Sequence, residues 1–209
     1  NDAYWLYDIP FCDFGAVIDP PSVDVTAHAV ELLATEPGYE RAVRRGVAYL
    51  LREQEEDGSW WGRWGVNYVY GTGAALPALE AAGLPADHPA VRRAVEWLRA
   101  HQNDDGGFGE DCRSYDLGER GRAYAGRGES TPSQTAWALL GLVAAGEARS
   151  DAAARAAGWL CSRQRPDGDW DEAHFTGTGF PRDFLIRYHL YRIVWPTIAL
   201  GRYRSATSG

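Results

Sequence analysis

Two sets of residues could do chemistry. Asp24 and His28 stand four positions apart in a segment, residues 23–33, that reads as a mostly apolar helix. At that spacing both side chains share one helix face. A carboxylate there can hold an imidazole in one tautomer and favour its protonated form, so the pair reads as a proton-handling site. The plainer alternative is a structural histidine near a helix start. The second set is aromatic. Residues 60–73 pack five aromatics into eleven positions, and residues 177–191 form a second concentration. Aromatics at helical spacing ordinarily fill a core, but these stand at junctions between Gly-rich loops and apolar helices. A π face attracts a cation without offering it a nucleophile. The residue types indicate an oriented carboxylate–imidazole pair and, separately, rings that suit a cationic guest.

The elements that position these residues are announced by a repeat. Arg45-Gly46-Val47-Ala48-Tyr49-Leu50, Arg93-Ala94-Val95-Glu96-Trp97-Leu98 and Arg155-Ala156-Ala157-Gly158-Trp159-Leu160 are each followed by a glutamine (Gln54, Gln102, Gln164) and then by an Asp-Gly turn and an aromatic, ending at Trp60, Phe108 and Trp170. A supersecondary unit recurring about every 50 residues means stacked helix pairs or a closed ring of them. Amphipathic helices are expected at 39–55, 88–102 and 150–164, alternating with apolar ones at 23–33, 71–83 and 132–145. Thr131-Pro132-Ser133-Gln134 reads as a capping-box start with Pro at the first helical position. A helix apolar all round must be enclosed, whereas one with a polar face can lie outside. The expected fold is all-α: an α/α toroid of concentric inner and outer helices, an incomplete ring of about three and a half pairs. Residues 1–22 read as an irregular, aromatic-rich entry segment, and 23–209 as a single domain.

Bulk properties narrow the function. The net charge of −8 argues against nucleic acid, whose phosphates demand clustered basic surface. All 21 basic residues are Arg. Cys12, Cys112 and Cys161 lie far apart, which indicates neither a disulfide framework nor a zinc ribbon. No apolar run reaches the roughly 18 residues of a spanning helix. The chain opens on Asn and holds no Met, so it is expected to be a piece of a longer protein.

Several segments resemble the squalene–hopene cyclases: Pro10-Phe11-Cys12-Asp13-Phe14-Gly15, Asp19-Pro20-Pro21-Ser22-Val23-Asp24-Val25-Thr26-Ala27-His28, Gly62-Arg63-Trp64-Gly65-Val66-Asn67-Tyr68, Gly109-Glu110-Asp111-Cys112-Arg113-Ser114-Tyr115, Ser130-Thr131-Pro132-Ser133-Gln134-Thr135-Ala136-Trp137 and Gly177-Thr178-Gly179-Phe180-Pro181. The three repeats resemble that family's QW motifs, and the resemblance runs from Ile9 to Tyr203. It implies the C-terminal part of a class II terpene cyclase, an isomerase in which an aspartic acid protonates squalene or a similar polyprene and a carbocation cascade closes the rings with no metal or organic cofactor. By matching position, His28 would activate that acid, Asp24 would support the site and Tyr70 would join the acid's hydrogen-bond network. Trp64, Phe180 and Phe184 would stabilise carbocations. Phe14, Ile186, Tyr188 and Tyr191 would shape the cavity, and Phe11 and Cys12 the substrate channel. The resemblance also implies attachment to the cytoplasmic face of the cell membrane, and it allows a homodimer. The paired-aspartate motif Asp-x-Asp-Asp that carries the acid is absent from these 209 residues and is expected upstream of Asn1. Two other readings compete. One is a protein prenyltransferase β-subunit with zinc on Asp111, Cys112 and His189; the other is a non-catalytic toroidal scaffold.

Overall fold

A computed structural model describes residues 20–208 apart from Leu117 and Arg182. Its helices are α1 (Val23–Leu33), α2 (Glu40–Arg52), α3 (Tyr68–Ala81), α4 (Pro89–His101), α5 (Gly118–Arg122), α6 (Pro132–Ala144), α7 (Asp151–Arg163) and α8 (Tyr191–Thr207). A short 3-10 turn, Cys112–Tyr115, and an antiparallel hairpin of β1 (Gly177–Phe180) and β2 (Phe184–Ile186) complete the fold. The inner layer runs α1–α3–α6–α8, each packed on the next, while α2, α4 and α7 lie outside it. This is the expected arc of three and a half helix pairs, with α8 as the unpaired half, and it forms no closed barrel.

Composition explains which helices are inside. Every residue of α3 from Tyr68 to Leu79 is buried, as is every residue of α6 from Pro132 to Leu142. Their axes approach closely through small residues: a Cβ on Gly73 would fall 2.5 Å from the Trp137 carbonyl oxygen. Outer helices bury one face only. In α7 this is Ala152, Ala153, Ala156, Ala157, Trp159 and Leu160, a stripe of helical period. Among the described residues no helix is long and apolar enough to cross a membrane.

The repeats are locks between neighbouring pairs. Gln54 Nε2 donates to Gly58 O in its own turn and to Ala90 O at the start of α4 (2.9 and 2.8 Å), and Gln102 Nε2 does the same to Gly106 O and Ala152 O. The turn aspartate then receives the indole of the next outer helix, Trp97 to Asp57 at 3.0 Å and Trp159 to Asp105 at 2.8 Å. Gly58 and Gly106 adopt φ of +95° and +92° against the backbone of Arg93 and Arg155, a conformation and a closeness that suit glycine.

Several details depart from the sequence reading. Helix α2, expected over 39–55, ends at Arg52. Helix α3 begins at Tyr68 rather than 71, because Glu110, distant in sequence, accepts the Tyr68 and Val69 amides. The α6 start is half a capping box. Thr131 Oγ1 accepts from Gln134 N, but the Gln134 side chain turns inward, donating to Val66 O and Glu110 O and accepting from Glu110 N. The last departure is the hairpin, which the helical periodicity did not announce. It is laid down on the loop before α3 by a Gly65–Gly177 bridge.

Candidate functional site

The inner layer gathers one connected set of rings. His28 on α1 meets Tyr70 on α3 through Nε2···Oη at 3.2 Å and stacks on Trp195 of α8, with centroids 6.1 Å apart. Tyr70 packs on Trp137 of α6 at 4.7 Å, and Trp137 meets Tyr191 at 5.7 Å and Trp195 at 6.0 Å. Tyr188 extends the set to Tyr191 at 4.7 Å. A cavity of about 60 Å3 lies among His28, Tyr70, Trp137 and Trp195. Burial, then the negative charge of Asp24, pushes the Tyr70 phenol well above its usual range. Tyr191 is pushed up to about 12 by burial first and the neighbouring Tyr188 second. Both therefore remain neutral hydroxyls at physiological pH.

Asp24 corrects the sequence reading. Its side chain is fully buried, but it does not aim at His28: Oδ2 accepts the backbone N–H of Trp64 at 2.8 Å. Oδ1 has no hydrogen-bond partner among the described residues. The local i,i+4 pairing expected from spacing yields to a backbone donor forty residues away.

A second group stands on the hairpin and the loop before α3. Thr178 N donates to Trp64 O at 3.1 Å and Val66 N to Thr176 O at 3.0 Å, so the Trp64 segment runs beside β1. Phe180 and Phe184 face each other in the hairpin register, and Ile186 pairs with Gly177. Phe184 is 54 % exposed, while Phe180 and Ile186 are half-buried. Trp64 lines a groove of about 610 Å3 with Pro21, Val25 and Ala29, and the Arg63 guanidinium carbon lies 5.2 Å from its ring. The structure thus joins His28, Tyr70, Tyr188 and Tyr191 in one cluster and sets the Trp64 backbone beside the hairpin that carries Phe180 and Phe184, with Asp24 reaching from α1 to the Trp64 N–H. Phe11, Cys12 and Phe14 fall outside the described residues. Trp137 and Trp195 were not singled out from sequence, although Trp137 sits in a quoted motif; an aromatic on a wholly apolar inner helix is the signal that marks it.

Buried polar groups make the scaffold. Glu110 and Glu172 hold the N-terminal amides of α3 and α6, at Tyr68 and Val69 and at Ser133 respectively. Burial raises both carboxyls above their usual range against the pull of those amides. The zinc set of the prenyltransferase alternative is not assembled. Asp111 is paired with Arg113, the Cys112 thiol donates to Phe175 O and burial pushes it up to about 11. No group of three His, Cys, Asp or Glu able to hold a metal occurs among the described residues.

Comparison with known proteins agrees with this architecture. The family model of the squalene–hopene cyclase C-terminal domain matches residues 1–205. Squalene–hopene cyclases of Alicyclobacillus acidocaldarius and Zymomonas mobilis are 58% and 51% identical over 95% and 98% of this chain. A dammaradiene synthase of Dryopteris crassirhizoma is 40% identical over 98%. The chain spans 31–33% of the length of these curated relatives. Among solved structures, ent-copalyl diphosphate synthase from Streptomyces platensis superposes with a TM-score of 0.63 at 23% identity, over 94% of this chain and 35% of that one. A type II terpene cyclase from Scytonema superposes with a TM-score of 0.61 at 20% identity, over 87% of this chain and 54% of the other; both share the fold. With its repeats, its helix layers and nearly its whole length matched, the chain belongs to the squalene–hopene cyclase C-terminal domain family.

Proposed function

We propose that this chain supplies the aromatic wall and the acid-activating histidine of a cyclase that converts squalene, or a similar polyprene, to a pentacyclic hopanoid. The observation that carries the reading is the His28–Tyr70 contact at the edge of a continuous cluster of rings. An aspartic acid in the remainder of the protein protonates a terminal double bond. That bond's π electrons form the new C–H bond and leave a tertiary cation, which each next double bond attacks in turn. Loss of a proton ends the cascade, so the net change is an isomerisation with no oxidant or reductant. His28 makes the acid stronger by donating a hydrogen bond to its conjugate base, and Tyr70 holds the imidazole in place. Trp64, Phe180 and Phe184 present π faces to successive cations. Tyr188, Tyr191 and Ile186 shape the cavity. Delivery of the substrate from the cytoplasmic face of the membrane, and homodimerisation, belong to the same reading and rest on the family resemblance.

Incubating the full-length protein with squalene in detergent and analysing the extract by gas chromatography tests it. A pentacyclic product, unaffected by a chelator, is expected. Unchanged squalene overturns the reading. A scaffold role would give the same negative result together with normal folding.

A further inference from the structure

Trp64 is gripped at both of its backbone hydrogen-bonding groups. Its N–H donates to Asp24 Oδ2 at 2.8 Å and its carbonyl accepts from Thr178 N at 3.1 Å. Around the same turn one phenol serves three carbonyls: Tyr115 Oη lies 2.6 Å from Gly65 O, 3.0 Å from Gly62 O and 3.3 Å from Arg63 O. A phenol has a single proton to give, so the shortest contact, to Gly65, takes the main share and the other two carbonyls stay turned toward the same point. Asp24 is 0 % and Tyr115 4 % exposed. No bulk water replaces either group, and buried backbone polar groups must be paired. The turn has little room to slide, since a Cβ on Gly65 would fall 2.5 Å from the Tyr70 ring. The Trp64 side chain itself is only half-buried. The backbone grip therefore fixes where the side chain begins, and the side chain then lines the groove it shares with Pro21, Val25 and Ala29.

We propose that Tyr115 and Asp24 are positioning residues for Trp64, acting through backbone hydrogen bonds to fix its π face relative to α1, the helix that carries His28. The inference rests on the cyclase reading above and deepens it: the distribution of ring closures depends on two buried polar groups that act through Trp64. Asp24 registers the Trp64 turn on α1, and Tyr115 sets the curvature of that turn. Removing either lets the indole drift, and a cation that loses its π partner surrenders a proton early.

The test uses the full-length protein with squalene, reading the ratio of partly cyclised to pentacyclic products alongside thermal stability. Trp64→Ala defines the signature of a missing π face. Tyr115→Phe, which deletes only the hydroxyl, is expected to reproduce that pattern, with the partly cyclised share rising roughly five-fold, the scale of one lost cation–π contact. Asp24→Ala is expected to do the same, while Asp24→Asn, which keeps an acceptor for the Trp64 N–H, holds the wild-type ratio. Trp159→Phe, which breaks a lock between outer repeats far along the chain, serves as the stability control and is expected to leave the ratio alone. If the Tyr115 variant does not fold, the Asp24 pair decides. Unchanged ratios in Tyr115→Phe and Asp24→Ala, or an equal change in Trp159→Phe, overturn the proposal while leaving the cyclase reading intact. A wild-type protein that cyclises nothing overturns the cyclase reading and this proposal with it.

Discussion

His28 has its Nε2 engaged by a phenol that stays protonated, because burial and the nearby Asp24 charge hold Tyr70 well above its usual range. Tyr70 is therefore a fixed dipole beside the imidazole, not a competing base. Protonating an alkene needs a far stronger acid than protonating an epoxide oxygen, so a residue that strengthens the acid matters most for the alkene. His28→Ala in the full-length protein is expected to cut squalene turnover by at least 100-fold, the scale of a lost acid–base group, and to cost an epoxidised squalene much less. Equal losses on the two substrates would mark His28 as structural. The spacing of Asp24 and His28 placed both residues on α1 correctly, yet it could not show where the carboxylate points. That is decided by an amide on a distant loop, and an i,i+4 rule ranks only local partners. Trp195 was similarly hidden, because its importance comes from stacking on a histidine on a remote helix.

At the level of elements, the repeat is a set of charge-assisted locks. Burial raises the Asp105 carboxyl, but donors from Ser130, Gly107 N–H and Trp159 outweigh it and bring the group below its usual value of 3.8. The stabilisation from that depressed value is present above pH 3.8 and fades as pH falls through the lower folded-state value. Trp159→Phe removes one donor and is expected to cost on the order of 1 kcal/mol near neutrality, a hydrogen-bond-sized loss trimmed for partial exposure. The gap from wild type should narrow in acid below pH 3.8, and denaturation followed at several pH values checks this. A gap that stays constant would mean the indole acts by packing alone. Helices α4, α6 and α7 were legible to within a residue at each end because apolar periodicity, caps and Gly stops are local signals. The start of α3 and the β1–β2 hairpin were not. The first depends on a glutamate supplied from another loop, and the second on two short strands that pair with each other while β1 lies against the Trp64 turn.

Across the whole molecule, the inner layer is an arc whose last member reaches back to its first: α8 stacks Trp195 on His28 and pairs Arg202 with Glu31 at 2.7 Å. On the reading proposed above the acid belongs to an Asp-x-Asp-Asp motif, which does not occur in these residues. The 209-residue chain produced alone is expected to convert no squalene above the no-enzyme background, whatever its folded content by circular dichroism. Hopene formation by the isolated chain would relocate the acid to one of its own carboxylates. The repeat locks also give the arc a direction. Gln54 and Gln102 each keep one amide hydrogen for a helix that comes later in the chain, whereas the Gln164 side chain bonds only Gly168 O among the described residues, and a Cβ on Gly168 would meet open space. The first two pairs are therefore finished by their successors, and a chain emerging from the ribosome can close those repeats in the order in which they are made, like a zip whose slider travels with synthesis.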